Sequence, residues 1–321
     1  MSSKDLAPRV GSISNIARVS SLARILGTTD DRLLYIAGNI DKYWKPGKKL
    51  PKSDGSIRIT NDANDVLKNI HERINRNLLK PCFYPRYLNG SLPGRSIRKN
   101  AEFHLRSMVL VNEDIENFYP SARFRQIKGI WKYFFKCSDE VAVILTKLTT
   151  YKGSLPQGWK PSSYLANLLF WDTEYILVEK LQAAGFSYSR LMDDITVSSR
   201  KPYTPEKLSV LISDLNLFLH SKEFKLKRSK HSIKPSYTRQ TVNNQIVNGS
   251  KVTVPRERRK LIRALVHSLE IDYSYGAVFS DKYKTKWKSA SQRVGGLKHG
   301  HLSERNSLRQ RLQNIKPRIR F

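Results

Sequence analysis

The sequence predicts an α+β fold with additional helices at both ends, and three features lead to that prediction. Short runs of β-branched and aliphatic residues, such as 108–111 and 195–197, alternate with longer segments whose apolar residues recur at helical spacing. Residues 16–42 and the region from Pro255 onward show the helical spacing alone. No internal repeat or low-complexity linker interrupts the 321 residues. That length suffices for roughly one large core or two to three small ones.

The first elements along the chain are two helices and a hairpin. The sequence Gly27-Thr28-Thr29-Asp30 divides the first helical stretch into two helices, with Thr29 or Asp30 as the N-cap of the second. A polar turn over 51–56 leads into the β-type run 57–60, which predicts a hairpin. The predicted elements that follow are a helix at 64–79, an irregular segment at 81–94, a strand at 108–111, helices at roughly 122–150 and 162–183, a hairpin around 191–194, a helix at 205–222, two short strands flanking Asn248-Gly249, and basic helices from Pro255.

The charge balance indicates a polyanionic partner. Lys and Arg number 58 against 27 Asp and Glu, a net charge of +31. A compact chain with this charge repels itself unless a polyanion neutralises it, and nucleic-acid phosphates are the usual partner. A merely soluble basic protein and a protein bound at a membrane surface are the alternatives. No apolar stretch reaches the ~20 residues that a membrane span needs, and no signal peptide opens the chain, so we expect a cytoplasmic protein without a membrane partner.

Acidic residues are scarce in this chain, and three of them stand in strand-type surroundings. Asp114 follows the apolar run 108–111, and Asp193-Asp194 lies in the turn of a predicted hairpin. Carboxylates placed among apolar strand residues are costly unless they are compensated, and Mg²⁺ prefers such oxygen ligands. Two ions held about 3.5–4 Å apart can activate an attacking oxygen and stabilise a leaving pyrophosphate. The alternative for Asp193-Asp194 is an ordinary hairpin turn, where Asp is common.

Three segments resemble motifs of bacterial reverse transcriptases and occur in that family's order. Residues 112–121, which contain Asp114, are similar to the first metal-binding motif. Leu155-Pro156-Gln157-Gly158 resembles the motif that positions template and nucleotide, and 190–198 resembles the Asp-Asp hairpin that completes the metal site. Residues 100–104, Asn-Ala-Glu-Phe-His, match the Asn-Ala-x-x-His motif of retron reverse transcriptases.

This resemblance implies a right-hand polymerase with fingers, a palm containing an antiparallel sheet, and a helical thumb. An N-terminal helical extension would occupy residues 1–45, the fingers and palm 46–250, and the basic, RNA-binding thumb 251–321. The three aspartates would be both the catalytic residues and the ligands of two Mg²⁺ ions, with Mn²⁺ as an alternative metal.

The family also implies a nucleotide site. Arg58, supported by Lys52, would contact the incoming triphosphate through its bidentate guanidinium; a solvated hairpin residue is the alternative. Tyr119 would be a steric gate that clashes with a 2′-hydroxyl, or else a core aromatic residue. Gln157 would present an amide to the nucleotide or the template base, and Gly158 would permit close approach of the backbone.

RNA contacts are expected in two regions. Asn100 and His104 of the retron motif would contact RNA, with capping of the preceding loop as the alternative for the histidine. In the thumb, cations alternate with aromatic rings, and rings can stack on unpaired bases while cations hold the phosphates. The candidates there are Arg256, Arg259, Lys284 and Trp287.

Membership of this family implies particular partners. The expected function is RNA-directed DNA synthesis on a bound structured noncoding RNA, which serves as template and primer through a 2′-hydroxyl and yields RNA-linked single-stranded DNA. Deoxynucleoside triphosphates would be the substrates, and a nearby effector protein and antiphage defence are expected by analogy. The alternatives are a reverse transcriptase of another lineage, such as a group II intron or other defence type, and an inactive RNA-binding scaffold.

The sequence departs from the family pattern in four respects. Leu191 replaces the aromatic residue of the Asp-Asp hairpin, and Trp159 and Tyr164 replace smaller residues near the nucleotide motif. Lys230-His231 leaves open which side chain would protonate the pyrophosphate. Val242-Asn243-Asn244 stands where the retron family has Val-Thr-Gly, and the turn is expected to survive because Asn tolerates left-handed backbone.

Overall fold

In a computed structural model of the chain, residues 5–51, 57–298 and 300–317 are described. Lys52, the rest of the predicted turn to residue 56, and the side chain of Arg58 lie outside that part, so their roles stay predictions. The described residues form helices around antiparallel sheets, which is the predicted α+β class.

The N-terminal elements follow the local sequence signals. Helix α1 (Val19–Ile25) and helix α2 (Asp30–Gly38) are separated at Gly27, and the Thr29 side chain caps α2 by accepting a bond from the Arg32 amide. Thr29 is therefore the N-cap. Strands β1 (Trp44–Pro51) and β2 (Ile57–Ala63) pair antiparallel as the expected hairpin.

A four-stranded sheet carries the central acidic residues. Its strands are β3 (Val109–Asp114), β4 (Phe186–Leu191), β5 (Asp194–Ser199) and β6 (Ser232–Pro235), in the order β4-β5-β3-β6 and with every neighbour antiparallel. Strands β3 and β5 are buried along most of their length because helices cover the sheet. The helices up to this sheet's last strand are α3 (Asp65–Ile74), α4 (Ile97–Glu102), α5 (Phe118–Ser121), α6 (Phe124–Gly129), α7 (Asp139–Thr149), α8 (Ser162–Leu168), α9 (Glu174–Ala183) and α10 (Pro205–Ser221).

The predicted hairpin around Asn248-Gly249 is reduced to a single antiparallel bridge between Ile246 and Thr253, which exchange two backbone hydrogen bonds. Two short strands, β7 (Thr241–Val242) and β8 (Gln245–Ile246), pair about a turn at Asn243-Asn244. Both turn residues adopt left-handed backbone, with φ of +46° and +62°, as a two-residue hairpin turn requires. The Asn248 side chain instead holds its loop by donating to the Ser236 and Thr238 carbonyls.

The C-terminal region is helical and has its own hydrophobic cluster. Its helices are α11 (Arg256–Ser274), α12 (Asp281–Gly295) and α13 (Leu302–Asn314), and their buried residues pack together between Val254 and Ile315. A larger cluster extends from Leu6 to Phe224, so α1 and α2 share a core with the sheet and its helices. The proposed domain boundaries at 45/46 and 250/251 stay predictions. Among the described residues, none of the helices has the length and apolar character to cross a bilayer.

Candidate active site

The pairing of β3, β4 and β5 brings three aspartates to one end of the sheet. Asp114, the last residue of β3, pairs with Asp194, the first residue of β5. Leu191 closes the β4–β5 hairpin against Asp194, which leaves Met192 and Asp193 as its two-residue turn. The Ile115 amide donates to the Asp193 carbonyl over 2.9 Å, and this bond joins the turn to the end of β3. The structure therefore assembles the carboxylates that the sequence separates by about eighty residues.

The electrostatics of this cluster are those of crowded negative charge. Asp114 is buried, with 4% of its surface exposed. Burial, and then the charges of Asp193 and Asp114, raise the pKa of Asp194 to about 6, although Lys230 opposes this. The Lys230 ammonium donates to Asp114 Oδ2. Burial alone would lower the pKa of Lys230, but its bond to Asp114 and the three negative charges raise it.

The donor set of this cluster fits a hard divalent metal. Carboxylate oxygens are the ligands that Mg²⁺ prefers, and burial together with the charges of Asp193 and Asp114 raises the pKa of Asp194, so a bound cation would favour its charged form. Across the described ranges, no three His, Cys, Asp or Glu side chains stand in a ready metal-holding arrangement. The Lys230 ammonium contacts Asp114 instead, so a metal bound by that carboxylate would compete with it.

Lys230 and His231 point to different carboxylates. Lys230 reaches Asp114, whereas His231 Nδ1 lies 2.5 Å from Glu113 Oε1. Glu113 is buried, which raises its pKa, and the bond to His231 opposes that shift. Of these two candidates for the proton donor, Lys230 is therefore the one beside the aspartates.

The predicted nucleotide residues differ in their burial and in the residues that they contact. Tyr119 is half-buried, and its hydroxyl donates to Met192 Sδ across 3.7 Å. Gln157 is half-buried in the loop before α8, and its carbonyl accepts from the Asn61 amide over 2.7 Å. Gly158 has φ of +115°, and a Cβ there would lie 2.4 Å from the Asn61 carbonyl oxygen. The close backbone approach expected at Gly158 is thus made by β2 of the hairpin.

Two departures from the family pattern are core residues. Trp159 is buried and donates from Nε1 to the Asp62 carbonyl over 3.0 Å. Tyr164 is buried against Tyr84, with ring centroids 6.0 Å apart. Their bulk fills the interior between the hairpin and the helices, so neither ring occupies an open pocket.

Asn100 and His104, for which RNA contacts stay a prediction, are enclosed within the protein in this structure. Both residues have no exposed surface. The two ring nitrogens of His104 lie 2.8 Å from Ser198 Oγ and 2.7 Å from Ser189 Oγ, on neighbouring strands of the catalytic hairpin. Asn100 donates to Asn243. Side chains that are enclosed and bonded in this way hold protein elements together.

The thumb candidates differ in how available they are. Arg256 is exposed at the start of α11. Arg259 is paired with Glu304, Lys284 with Asp281, and Trp287 donates to the Leu312 carbonyl over 2.9 Å.

Sequence reasoning missed two residues behind the catalytic turn. Arg190 and Glu174 form a buried ion pair, and the Arg190 guanidinium also donates to the Met192 carbonyl in the turn. Because arginine is common in this chain, nothing singled out Arg190 in the sequence. The one available indication was its position in a strand whose other residues are apolar or small. Asn243 was also missed as a site residue, although its amide donates to Asp194.

An antiparallel palm sheet bearing paired aspartates defines the class of right-hand nucleic-acid polymerases, and comparisons with known proteins agree. The family model described as reverse transcriptase (RNA-dependent DNA polymerase) matches residues 50–248. The chain is 32% identical to the retron Se72 reverse transcriptase of Salmonella heidelberg (strain 579083-10), covering 94% of this chain and 80% of that protein. It therefore belongs to the retron reverse transcriptases and is an RNA-directed DNA polymerase with the right-hand fold of that family.

Other relatives match over similar lengths. The retron Ec48 reverse transcriptase of Escherichia coli is 26% identical, covering 84% of this chain and 69% of that protein. The retron Ec86 reverse transcriptase of Escherichia coli is 27% identical, covering 80% and 78%. Membership of this family implies an RNA template, a DNA product and dependence on a divalent metal.

Proposed function

We propose that this polymerase copies a structured noncoding RNA to which it is bound, and that synthesis starts from a 2′-hydroxyl of that RNA. The product would be single-stranded DNA joined to RNA. The observation that carries the catalytic part is the meeting of Asp114, Asp193 and Asp194 beside Lys230. The retron-type part is supported by similarity to retron reverse transcriptases along 94% of the chain.

The three aspartates would hold two Mg²⁺ ions, with Mn²⁺ as a substitute. Such ions, when bound, lower the pKa of the attacking hydroxyl and offset the charge that develops on the leaving phosphates. Lys230 would give its proton to the pyrophosphate oxygen, because its ammonium lies at the cluster, where the aspartates favour its charged form. Tyr119 would exclude ribonucleotides by meeting their 2′-hydroxyl. Arg58 would bind the triphosphate.

The loop at 157–158 would help to place the nucleotide. The Gln157 backbone is fixed by its bond to Asn61, and its half-buried side chain is available to a base or sugar. Gly158 permits this loop to lie against β2, since any side chain there would collide with the Asn61 carbonyl.

The thumb would bind the RNA through its basic surface. Exposed Arg256 would contact phosphates directly, and Arg259 and Lys284 would do so only by exchanging their partners Glu304 and Asp281. Trp287 would stack on an unpaired base only by leaving the Leu312 carbonyl. The net charge of +31 supports a large polyanionic partner. An effector protein and a role in antiphage defence are proposed by analogy with the family.

The test is expression of the chain with its flanking noncoding region, followed by denaturing gel analysis of bound nucleic acid before and after ribonuclease. The matched variant is Asp193→Asn/Asp194→Asn, which keeps side-chain size and removes two charges. A ribonuclease-resistant DNA of discrete length, absent from the variant, is the expected result. Equal amounts of RNA alone in both proteins would refute templated synthesis and indicate an RNA-binding scaffold. DNA without a branched RNA linkage would refute 2′-hydroxyl priming alone.

A further inference from the structure

A chain of side-chain hydrogen bonds connects α4 to the catalytic cluster. Asn100 Nδ2 donates to Asn243 Oδ1 over 2.7 Å, and Asn243 Nδ2 donates to Asp194 Oδ2 over 2.9 Å. These three residues come from α4, the β7–β8 turn and the start of β5. One asparagine therefore lies between a metal-site carboxylate and a fully buried amide.

The chemistry of the bonded groups determines which group donates and which accepts in each of these two hydrogen bonds. An ionised carboxylate only accepts hydrogen bonds, so the amide nitrogen of Asn243 must face Asp194. The amide oxygen of Asn243 then faces Asn100, which must present its own nitrogen. The orientation of both amides follows from the charge on Asp194.

The backbone conformation at Asn243 allows its side chain to lie between Asp194 and Asn100. With φ of +46°, it lies in the left-handed region that Asn tolerates better than most residues. Asn244 follows with φ of +62°. Its side chain is exposed and makes no hydrogen bond within the part of the chain that the structure describes. The two neighbours thus share a backbone conformation and differ in their contact with the site.

The segment that carries Asn100, at the other end of this series of hydrogen bonds, is also connected to the β4–β5 hairpin. Asn100 is completely buried, and its Oδ1 has no hydrogen-bond partner among the described residues. An unpaired buried oxygen costs stability, and such exceptions concentrate at functional sites. Four residues later, His104 bridges Ser189 on β4 and Ser198 on β5. His104 therefore contacts the β4–β5 hairpin directly, and Asn100 is linked to its residue Asp194 through Asn243.

We propose that Asn243 is a positioning residue of the metal site, which holds one carboxylate oxygen of Asp194 and leaves the other to face the metal. Asn100 acts through Asn243 by fixing the orientation of its amide. The amide proton also stabilises negative charge on Asp194 where Asp114 and Asp193 oppose it. This inference rests on the proposed function only in taking Asp194 as a metal ligand. Partners of this kind commonly change metal affinity or activity by about 10–100-fold when removed.

The test measures Mn²⁺ binding to the RNA-free, full-length protein by the electron paramagnetic resonance signal of free Mn²⁺. The variants are Asn243→Gly and its matched control Asn244→Gly, because glycine accepts left-handed backbone at both positions without strain. We expect Asn243→Gly to weaken binding about 10–100-fold, and Asn244→Gly to change it by no more than about twofold. Melting temperatures confirm that each variant is folded.

A double-mutant cycle tests the relay from Asn100. If Asn100 acts through Asn243, adding Asn100→Ala to Asn243→Gly lowers Mn²⁺ affinity no further, whereas Asn100→Ala alone does lower it. Equal losses in Asn243→Gly and Asn244→Gly would overturn the proposal, because the turn backbone would then be responsible. Unchanged Mn²⁺ affinity with weakened RNA binding would overturn it in favour of RNA recognition. Failure of wild-type DNA synthesis would count against the proposed function and would leave this binding comparison intact.

Discussion

Arg190 and Glu174 form a bidentate ion pair in the protein interior, with Nε–Oε1 and second nitrogen–Oε2 distances of 2.6 and 2.8 Å. Their side chains are 0% and 2% exposed. The same guanidinium donates to the carbonyls of Met192 in the catalytic turn and of Ala166 and Asn167 in α8. The pair therefore ties the turn to the helices beneath it.

Removing one member of this pair should be strongly destabilising. Arg190→Met leaves the Glu174 charge buried without its cation, and Glu174→Gln leaves the guanidinium without its anion. We expect each to lower the free energy of unfolding by about 3–5 kcal/mol, measured by urea denaturation.

The matched control is Arg125→Ala, which breaks an ion pair with Glu223 on the surface, where the side chains are 76% and 55% exposed. Its expected cost is about 0–1 kcal/mol. A loss in Arg190→Met no greater than in this control would show that the buried pair is not needed for stability.

Lys230 should contribute more to turnover than His231. Lys230→Leu removes the ammonium beside Asp114 and the proton that it would give to pyrophosphate, so kcat should fall by about a hundredfold or more. His231→Gln keeps a hydrogen-bonding group near Glu113 and should stay close to wild type. Single-turnover extension with deoxynucleotides measures both. The reverse order of effects would assign the proton to His231.

Tyr119 should control the choice of sugar. Its hydroxyl contacts the Met192 side chain in the turn between β4 and β5, and shortening the side chain opens space next to that turn. Tyr119→Ala should raise the relative kcat/KM for ribonucleotides by about tenfold or more, measured by competition between matched ribo- and deoxynucleotides. Tyr119→Phe keeps the ring and should discriminate like wild type. Unchanged selectivity in Tyr119→Ala would make this residue a packing aromatic.

Two buried histidines should make the fold sensitive to acid. Burial lowers the pKa of His71 to about 4 and that of His104 to about 3, from a usual value of 6.5. Because the folded state binds these protons less readily, the stability that each neutral ring contributes is present above pH 6.5 and falls as pH drops from 6.5 towards the folded pKa. The expected loss is about 1.4 kcal/mol per pH unit for each residue.

The measurement is the free energy of unfolding between pH 7.5 and about 5 for wild type and His71→Gln. Gln can still donate to the Leu148 carbonyl that lies 2.8 Å from His71 Nε2. The variant should show a shallower decline below pH 6.5. Parallel curves for the two proteins would mean that other groups govern the acid response.

Local sequence patterns predicted the strands and the turn that carry the aspartates better than they predicted the contacts of the surrounding side chains. A cap at Thr29 or Asp30, a strand just before Asp114 and a hairpin around Asp193 were predicted from residue type and spacing over a few positions. The structure has all three, with Thr29 as the cap and β3 reaching Asp114. The roles of Asn100 and His104 depend on partners that are distant in sequence and meet only when the sheet is assembled. A motif match therefore singled out these residues, but their contacts within the protein could not be predicted from it.

For Asn243, the backbone conformation could be predicted from the sequence, but the contact of its side chain could not. Its ability to adopt left-handed backbone was predictable from residue type. That its amide would meet Asp194 was not, because the position of the β7–β8 turn depends on how the chain packs around β3. Long-range pairing of side chains has no counterpart in local propensity or spacing.

The bonds between β2 and the loop at 157–159 have a consequence for how the enzyme moves. The Asn61 amide is bonded to the Gln157 carbonyl, Trp159 is bonded to the Asp62 carbonyl, and Gly158 leaves no space for slippage between them. A hairpin that swings towards an arriving nucleotide must either break both bonds or carry the loop with it. We therefore expect the β1–β2 hairpin and the loop to move together, because displacing either one strains the bonds between them.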